Sequence, residues 1–354
     1  MPKVKNLAIS GGGISGVGIL GILKYCNECN ILDDVENYIG TSVGSIISLL
    51  LIIEYTYDEI FEFIKNFDLE KLINNVDIDN FLEHYGFENS NKIIYVIKRL
   101  VENKNLSEEI TFIELFNKYK KGLTVTGVCL NESKLYYFNH DLFPDMKVLT
   151  AIRISCNIPI VFAPIKHDNK LWLDGGIIQN YPITYYKHDI ENTLGISIYD
   201  KCLEDLEINN VVEFILNLGK CIAYGSNNLD INNFDSNTLK YTLNFSSFAD
   251  FAINSEKLKE MFHSGYECAK NQHNIIDKFI NDEINANIIY EDINDNDSST
   301  SNSIYTTVMY EGDIETDSSI EELFIDTSES KIKDESDDSN SSVVIEAFFS
   351  EKAN

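Results

Sequence analysis

Gly40-Thr41-Ser42-Val43-Gly44 sets a serine between two glycines, after the apolar approach Tyr38-Ile39 and before an apolar run over residues 46–53. G-x-S-x-G is the pattern of a nucleophile elbow, a sharp strand-to-helix turn that lifts a hydroxyl clear of the backbone. The small flanking residues Gly40 and Gly44 let such a turn close. Ser42 is therefore the candidate nucleophile, and it precedes a helix whose N-terminal partial charge favours a developing anion. A serine there is also an ordinary helix cap, so the pentapeptide alone leaves both roles open.

A second stretch offers backbone chemistry. Residues 4–10 read as a buried strand, and Gly11-Gly12-Gly13-Ile14-Ser15-Gly16 follows at once, opening an apolar helix through Val17, Ile19, Leu20, Ile22 and Leu23. N–H groups in a glycine turn hold a phosphate or an oxyanion equally well. As G-x-G-x-x-G the stretch also fits the dinucleotide fingerprint, which makes a flavin- or NAD-binding oxidoreductase the rival function. That fingerprint wants a second strand ending in an acid about 20 residues on, whereas residues 29–36 hold acids with no strand before them. Asp174 closes an apolar strand over residues 170–174 and enters Gly175-Gly176, although Asp-Gly is also a common turn dipeptide.

These groups need a core to position them. The 354-residue chain is 44% hydrophobic and 11% aromatic, enough for a large domain. Its formal charge of −29 is lopsided: residues 281–354 hold 20 acids against three lysines and lose all apolar periodicity. The body has no dense basic stripe, which argues against a nucleic-acid partner. Seven scattered cysteines, and an N-terminus without a long apolar core, read as a reducing, cytoplasmic protein. Cys26 and Cys29 form a C-x-x-C, but no second pair follows at zinc spacing, so no metal is expected. No segment approaches the ~18 to 20 apolar residues of a membrane span, which leaves peripheral membrane contact.

Along the chain, helical periodicity continues over residues 57–67. Residues 68–121 read as a helical, cap-like insertion. Its Lys92, Lys98, Arg99, Lys118, Lys120 and Lys121 form a solvated face or, over a lipid site, a surface for phosphate head groups. Strands are expected at 123–128, 134–138, 194–199 and 239–245, and helices from Leu149 to a stop at Pro159, at 211–224 and at 255–279. From residue 291 the composition is that of a disordered tail. Truncation after Asp282 is expected to leave a soluble, active domain; aggregation, or loss of the thermal transition, would show that the tail packs on the core.

Four motifs in order carry a resemblance: the strand with Gly11-Gly12-Gly13-x-x-Gly16; Gly40-x-Ser42-x-Gly44; Ser155-Cys156-Asn157-Ile158-Pro159 with Phe162 and Pro164; and Asp174-Gly175-Gly176 with Asn180 and Pro182. Together they resemble the patatin-like phospholipase family from Leu7 to about residue 200, and more weakly to about residue 285. The resemblance implies an α/β, three-layer fold over residues 1–285, with a central, mainly parallel sheet flanked by helices, and leaves residues 286–354 as an acidic, disordered tail. It implies a Ser-Asp dyad in place of a triad: Ser42 acylated, Asp174 its general base. Backbone N–H groups of Gly12 and Gly13, with Gly11 in the same turn, would form the oxyanion hole, and Gly16, Gly175 and Gly176 would support the motifs. The implied substrate is a phospholipid or related lipid ester, cleaved without cofactor or calcium. Many members carry Arg or Lys where this chain has Ser15, which removes a positive charge beside the turn. A catalytically weak, lipid-binding protein of the same fold is the other alternative. His188 follows Asp174 as a triad histidine would, but it, His84, His140, His167, His263 and His273 all sit in polar surroundings and read as surface residues.

Overall fold

β1 (Asn6–Ile9) and β2 (Asn37–Gly40) are four-residue strands that pair in parallel, with α1 (Gly16–Glu28) as the crossover between them. Their side chains alternate between two buried faces. Leu7, Ile9 and Tyr38 join the main core, whereas Ala8 and Ile39 join Tyr181 and Ile183 in a smaller cluster on the other side. A strand buried on both faces reads as a continuous apolar run, which is why residues 4–10 look so plainly like one. The protein is seen here as a computed structural model, which describes residues 3–66, 83–200, 232–243 and 254–280.

After β2 come α2 (Val43–Ile52), α3 (Tyr57–Lys65), β3 (Gly86–Glu88), α4 (Asn91–Asn103), α5 (Phe112–Tyr119), β4 (Gly122–Cys129) and β5 (Lys134–Phe138). Then follow α6 (Val148–Ser155), β6 (Ile160–Phe162), β7 (Ile165–His167), β8 (Lys170–Asp174), β9 (Thr193–Asp200), β10 (Thr238–Leu243), α7 (Ser255–Asn271) and α8 (His273–Ile276). The main sheet runs β10-β9-β1-β2-β4-β8-β7, with β5 paired to β4. Strands β10 to β4 in that order are parallel, and β5, β7 and β8 are joined antiparallel. The result is a mixed sheet flanked by helices, as the family resemblance implies. α3 and α5 are each started by a capping box, Thr56 with Glu59 and Thr111 with Glu114.

Part of the expected cap, residues 68–82, lies outside the described residues. Its remainder holds α4, α5 and β3, which pairs in parallel with β6; three residues are too few to show a period in sequence. The basic residues form a solvated face in large part: Lys98 pairs with Glu108 at 2.7 Å, Arg99 with Glu102 at 3.4 Å, and Lys118, Lys120 and Lys121 lie over Tyr119, Phe116 and Tyr38. The helix expected over 255–279 is broken at Gln272. The cause is a side chain that serves the sheet: Gln272 Oε1 accepts from Lys240 N at 3.0 Å and Nε2 donates to Lys240 O at 2.9 Å, binding edge strand β10. The helix expected at 211–224, the end of the strand at 239–245 and the tail over 286–354 lie outside the described residues. Among the described residues, no helix is long and apolar enough to cross a membrane.

Candidate active site

Ser42 joins β2 to α2 and adopts φ 53, ψ −127, outside the regions where serine is comfortable. Strain of this kind persists only where the surroundings over-determine it. Here they do. A Cβ on Gly40 would collide with the backbone of Gly44, and one on Gly44 with the carbonyls of Ile9 and Ser10, so the turn closes only with glycine at both positions. The Ser42 N–H donates to Ser155 Oγ at 2.9 Å, and its carbonyl accepts from Ser45 N and Oγ at 2.9 and 2.6 Å. The Ser42 side chain makes no cap bond to α2, so its hydroxyl is not spent on the helix.

Asp174 ends β8 opposite Gly127 of β4 and is 5% exposed. Its N–H donates to Asn157 O at 3.1 Å, while Asn157 Nδ2 donates to Ala163 O at 2.8 Å, which fixes the segment before β6 against the strand end. Oδ1 accepts from Gly176 N at 2.7 Å. Burial pushes the carboxyl up to about 7, opposed by that Gly176 N–H and by the Ser42 hydroxyl, which is near enough to stabilise the charge. A carboxylate held near neutrality is suited to taking a proton at physiological pH.

The glycine turn abuts the same point. A Cβ on Gly11 would come within 3.1 Å of Ser42 Cβ, and Gly13, at φ 54, shares a cavity wall with Ser42. Gly11 itself is not available as an oxyanion donor: its N–H donates to Asn180 O at 2.9 Å, and Asn180 Nδ2 returns a 3.3 Å bond to Gly11 O. Among the described residues beside Ser42, the N–H groups of Gly12, Gly13 and Val43 make no hydrogen bond, the last being the first residue of α2.

An apolar cavity of about 170 Å³ opens at Ser42. Gly13, Val43, Cys156, Ile158 and Phe162 line it near the serine, and Ile47, Leu50, Ile60, Phe63, Ile97 and Leu100 extend it between α2, α3 and α4.

The sequence pattern of the patatin-like phospholipase family matches residues 7–186, half of the chain, and so spans the turn, the elbow and Asp174. The chain belongs to this family. An uncharacterised mimivirus protein, R571 of Acanthamoeba polyphaga mimivirus, is 32% identical over 228 residues, covering 61% of this chain and 75% of the relative. A protein of Invertebrate iridescent virus 6 named as a probable lipid hydrolase, 463L, is 38% identical over 51% of this chain and 62% of its own length. The crystal structure of VipD from Legionella pneumophila shares the fold, with a TM-score of 0.51 at 15% identity over 78% of this chain and 67% of that one.

In this patatin-like chain the six histidines stay away from the dyad candidates. None hydrogen-bonds Ser42 or Asp174 among the described residues: His188, His84 and His263 are exposed, His140 stacks on Phe116 with centroids 3.9 Å apart, His167 lies on β7, and His273 Nδ1 meets the Tyr25 hydroxyl at 3.0 Å. Cys26 and Cys29 are free, buried thiols at the end of α1. Ser15 is buried and carries no charge to the turn. Sequence reasoning missed the function of Ser155 in holding the elbow, the Val43 N–H and the cavity walls. The elbow pattern itself signals the Val43 N–H, because the residue after the nucleophile commonly donates to the oxyanion.

Proposed function

We propose that this chain is a lipid acyl hydrolase that cleaves carboxylic esters of phospholipids or related lipids through an acyl-Ser42 intermediate. Asp174 accepts the Ser42 proton as Oγ attacks the ester carbonyl. The Gly12 and Gly13 N–H groups, joined by that of Val43, stabilise the tetrahedral oxyanion, and each such donor is worth roughly 10² to 10³ in rate. Collapse expels the alcohol, which leaves with the proton held by Asp174. Water then attacks the acyl-serine, giving its proton to Asp174, and the fatty acid departs as the serine is restored.

The observation that carries this reading is a strained, uncapped serine beside a buried carboxylate of raised pKa, at the end of an apolar cavity able to take an acyl chain. The oxidoreductase reading has less support: β2 ends at Gly40 and runs into the elbow instead of ending in an acid. The direct test is release of free fatty acid from phospholipid or lysophospholipid vesicles. A folded protein that binds them and releases none would point to the lipid-binding alternative.

The cavity makes its own prediction. Ile97 is 2% exposed on α4 and faces this space. Ile97→Phe fills part of it, so kcat/KM for a long-chain ester is expected to fall by roughly ten-fold relative to a short-chain one. An unchanged chain-length profile in the folded variant would place the acyl chain elsewhere.

A further inference from the structure

Arg153 is one of only two arginines in the chain, and its charge has no carboxylate partner among the described residues. Arg99, the other, pairs with Glu102. Arg153 is half-buried on α6, where Nε donates to Ser90 Oγ at 3.1 Å and Nη2 donates to Asn91 Oδ1 at 2.5 Å. Both acceptors are neutral, and among the described residues no other hydrogen bond engages the guanidinium's five N–H groups. Burial lowers its pKa.

Its place in the fold gives this charge a use. Two residues on, Ser155 Oγ accepts from the Ser42 N–H, so one short helix holds the elbow and carries the guanidinium. α4 runs in the same direction as α2 along the cavity. At the far end the Tyr55 hydroxyl donates to Leu100 O at 3.0 Å and Lys104 Nζ to Glu54 O at 2.9 Å; at the near end Arg153 and Ser155 join the start of α4 to the start of α2. The cation is therefore held at the Ser42 end of the cavity, on Ser90 and Asn91, and Ser90 lies one helical turn before Ile93 in the cavity wall. An acyl chain running from Ser42 towards Leu100 leaves the rest of its lipid at that end. The buried Ser15 supplies no charge there.

We propose that Arg153 binds the phosphate of the lipid head group while the acyl chain occupies the cavity, making phosphate-bearing esters the preferred substrates. The proposal rests on Ser42 being the acylated nucleophile. A planar guanidinium matches phosphate oxygens in a way that a lysine does not, which makes this a specificity-determining position.

The test compares lysophosphatidylcholine with a monoacylglycerol of the same acyl chain, using the parent, Arg153→Gln and Arg99→Gln. In Arg153→Gln the ratio of kcat/KM for the two esters is expected to fall by roughly ten- to a hundred-fold, mainly through KM, as loss of a charge-assisted contact requires. Arg99→Gln should leave the ratio where it was. A ratio that Arg153→Gln does not move, including a parallel loss on both esters, overturns the proposal, since it would leave Arg153 only the work of holding α4. Should Arg153→Gln fail to fold, the parent decides: sn-glycerol 3-phosphate, but neither glycerol nor inorganic phosphate, must inhibit monoacylglycerol hydrolysis competitively. Absence of that inhibition, or equal inhibition by inorganic phosphate, overturns the head-group site. A parent that hydrolyses neither ester and takes no fluorophosphonate brings down the reading of Ser42 and this site with it. Monoacylglycerol hydrolysis with an unmoved ratio brings down this site alone.

Discussion

Ser42→Ala is expected to abolish ester hydrolysis and fluorophosphonate labelling together, with little change in thermal unfolding. Alanine keeps the Cβ that the elbow already accommodates at φ 53, and Ser42 contributes no side-chain cap to α2, so removal of Oγ leaves the scaffold's hydrogen bonds in place. The chemistry has no substitute. Without the oxygen there is no acyl-enzyme, and what survives is the background from binding and the oxyanion donors, a loss of roughly 10⁴-fold or more. The strain predicts a companion result. Ser42→Gly, equally inactive, should unfold at a higher temperature than Ser42→Ala, because only glycine takes this backbone conformation without cost. Retention of more than ~1% of the parent rate in folded Ser42→Ala would place the nucleophile elsewhere.

Asp174→Asn should be nearly as damaging, and it separates a dyad from a triad. Asparagine keeps the acceptor for the Gly176 N–H but cannot take the Ser42 proton. In a triad a histidine would be equally indispensable, whereas here each single histidine replacement should keep at least about a tenth of the activity. The pH profile should follow the carboxyl: kcat/KM falls as pH drops through about 7, where Asp174 becomes protonated. Stability moves the opposite way. The folded-state value of about 7 lies above the ordinary 3.8, so the folded chain binds this proton more tightly than the unfolded chain does. The residue therefore costs stability progressively as pH rises through that window, and the full cost applies above it. Asp174→Asn removes the charge and should raise Tm at pH 8, with the gain fading towards pH 4. A folded and active Asp174→Asn, or an inactive but folded histidine variant, would replace this mechanism.

The parts of the site that could be read from sequence are those where backbone geometry admits few residue types. Gly40 and Gly44 are required by the contacts of the elbow with itself and with β1, and such a requirement leaves a local pattern. β1, β4 and β9 were legible because both their faces are buried, whereas the three-residue β7, half-exposed at the sheet edge, was not. What stayed hidden depends on partners distant in the chain. Gly11 looks like Gly12 and Gly13 until Asn180, 169 residues on, takes its N–H. The Ser155 hydroxyl reads as a motif letter until it is seen 2.9 Å from the Ser42 N–H. Leu50, Ile97 and Leu100 carry the periodicity of ordinary core residues, and nothing local distinguishes a wall facing a cavity from one facing a neighbour. Gln272 ends a helix through a bond to a strand, which helix periodicity does not encode.

The measurement closest to the central claim is covalent labelling of the full-length protein with a fluorophosphonate probe, followed by mass mapping of the modified peptide. A single adduct on Ser42 is expected, formed more slowly as pH falls below about 7 and absent in Ser42→Ala. An adduct on any other residue, or no adduct on a protein that still releases fatty acid from lipid, would contradict it.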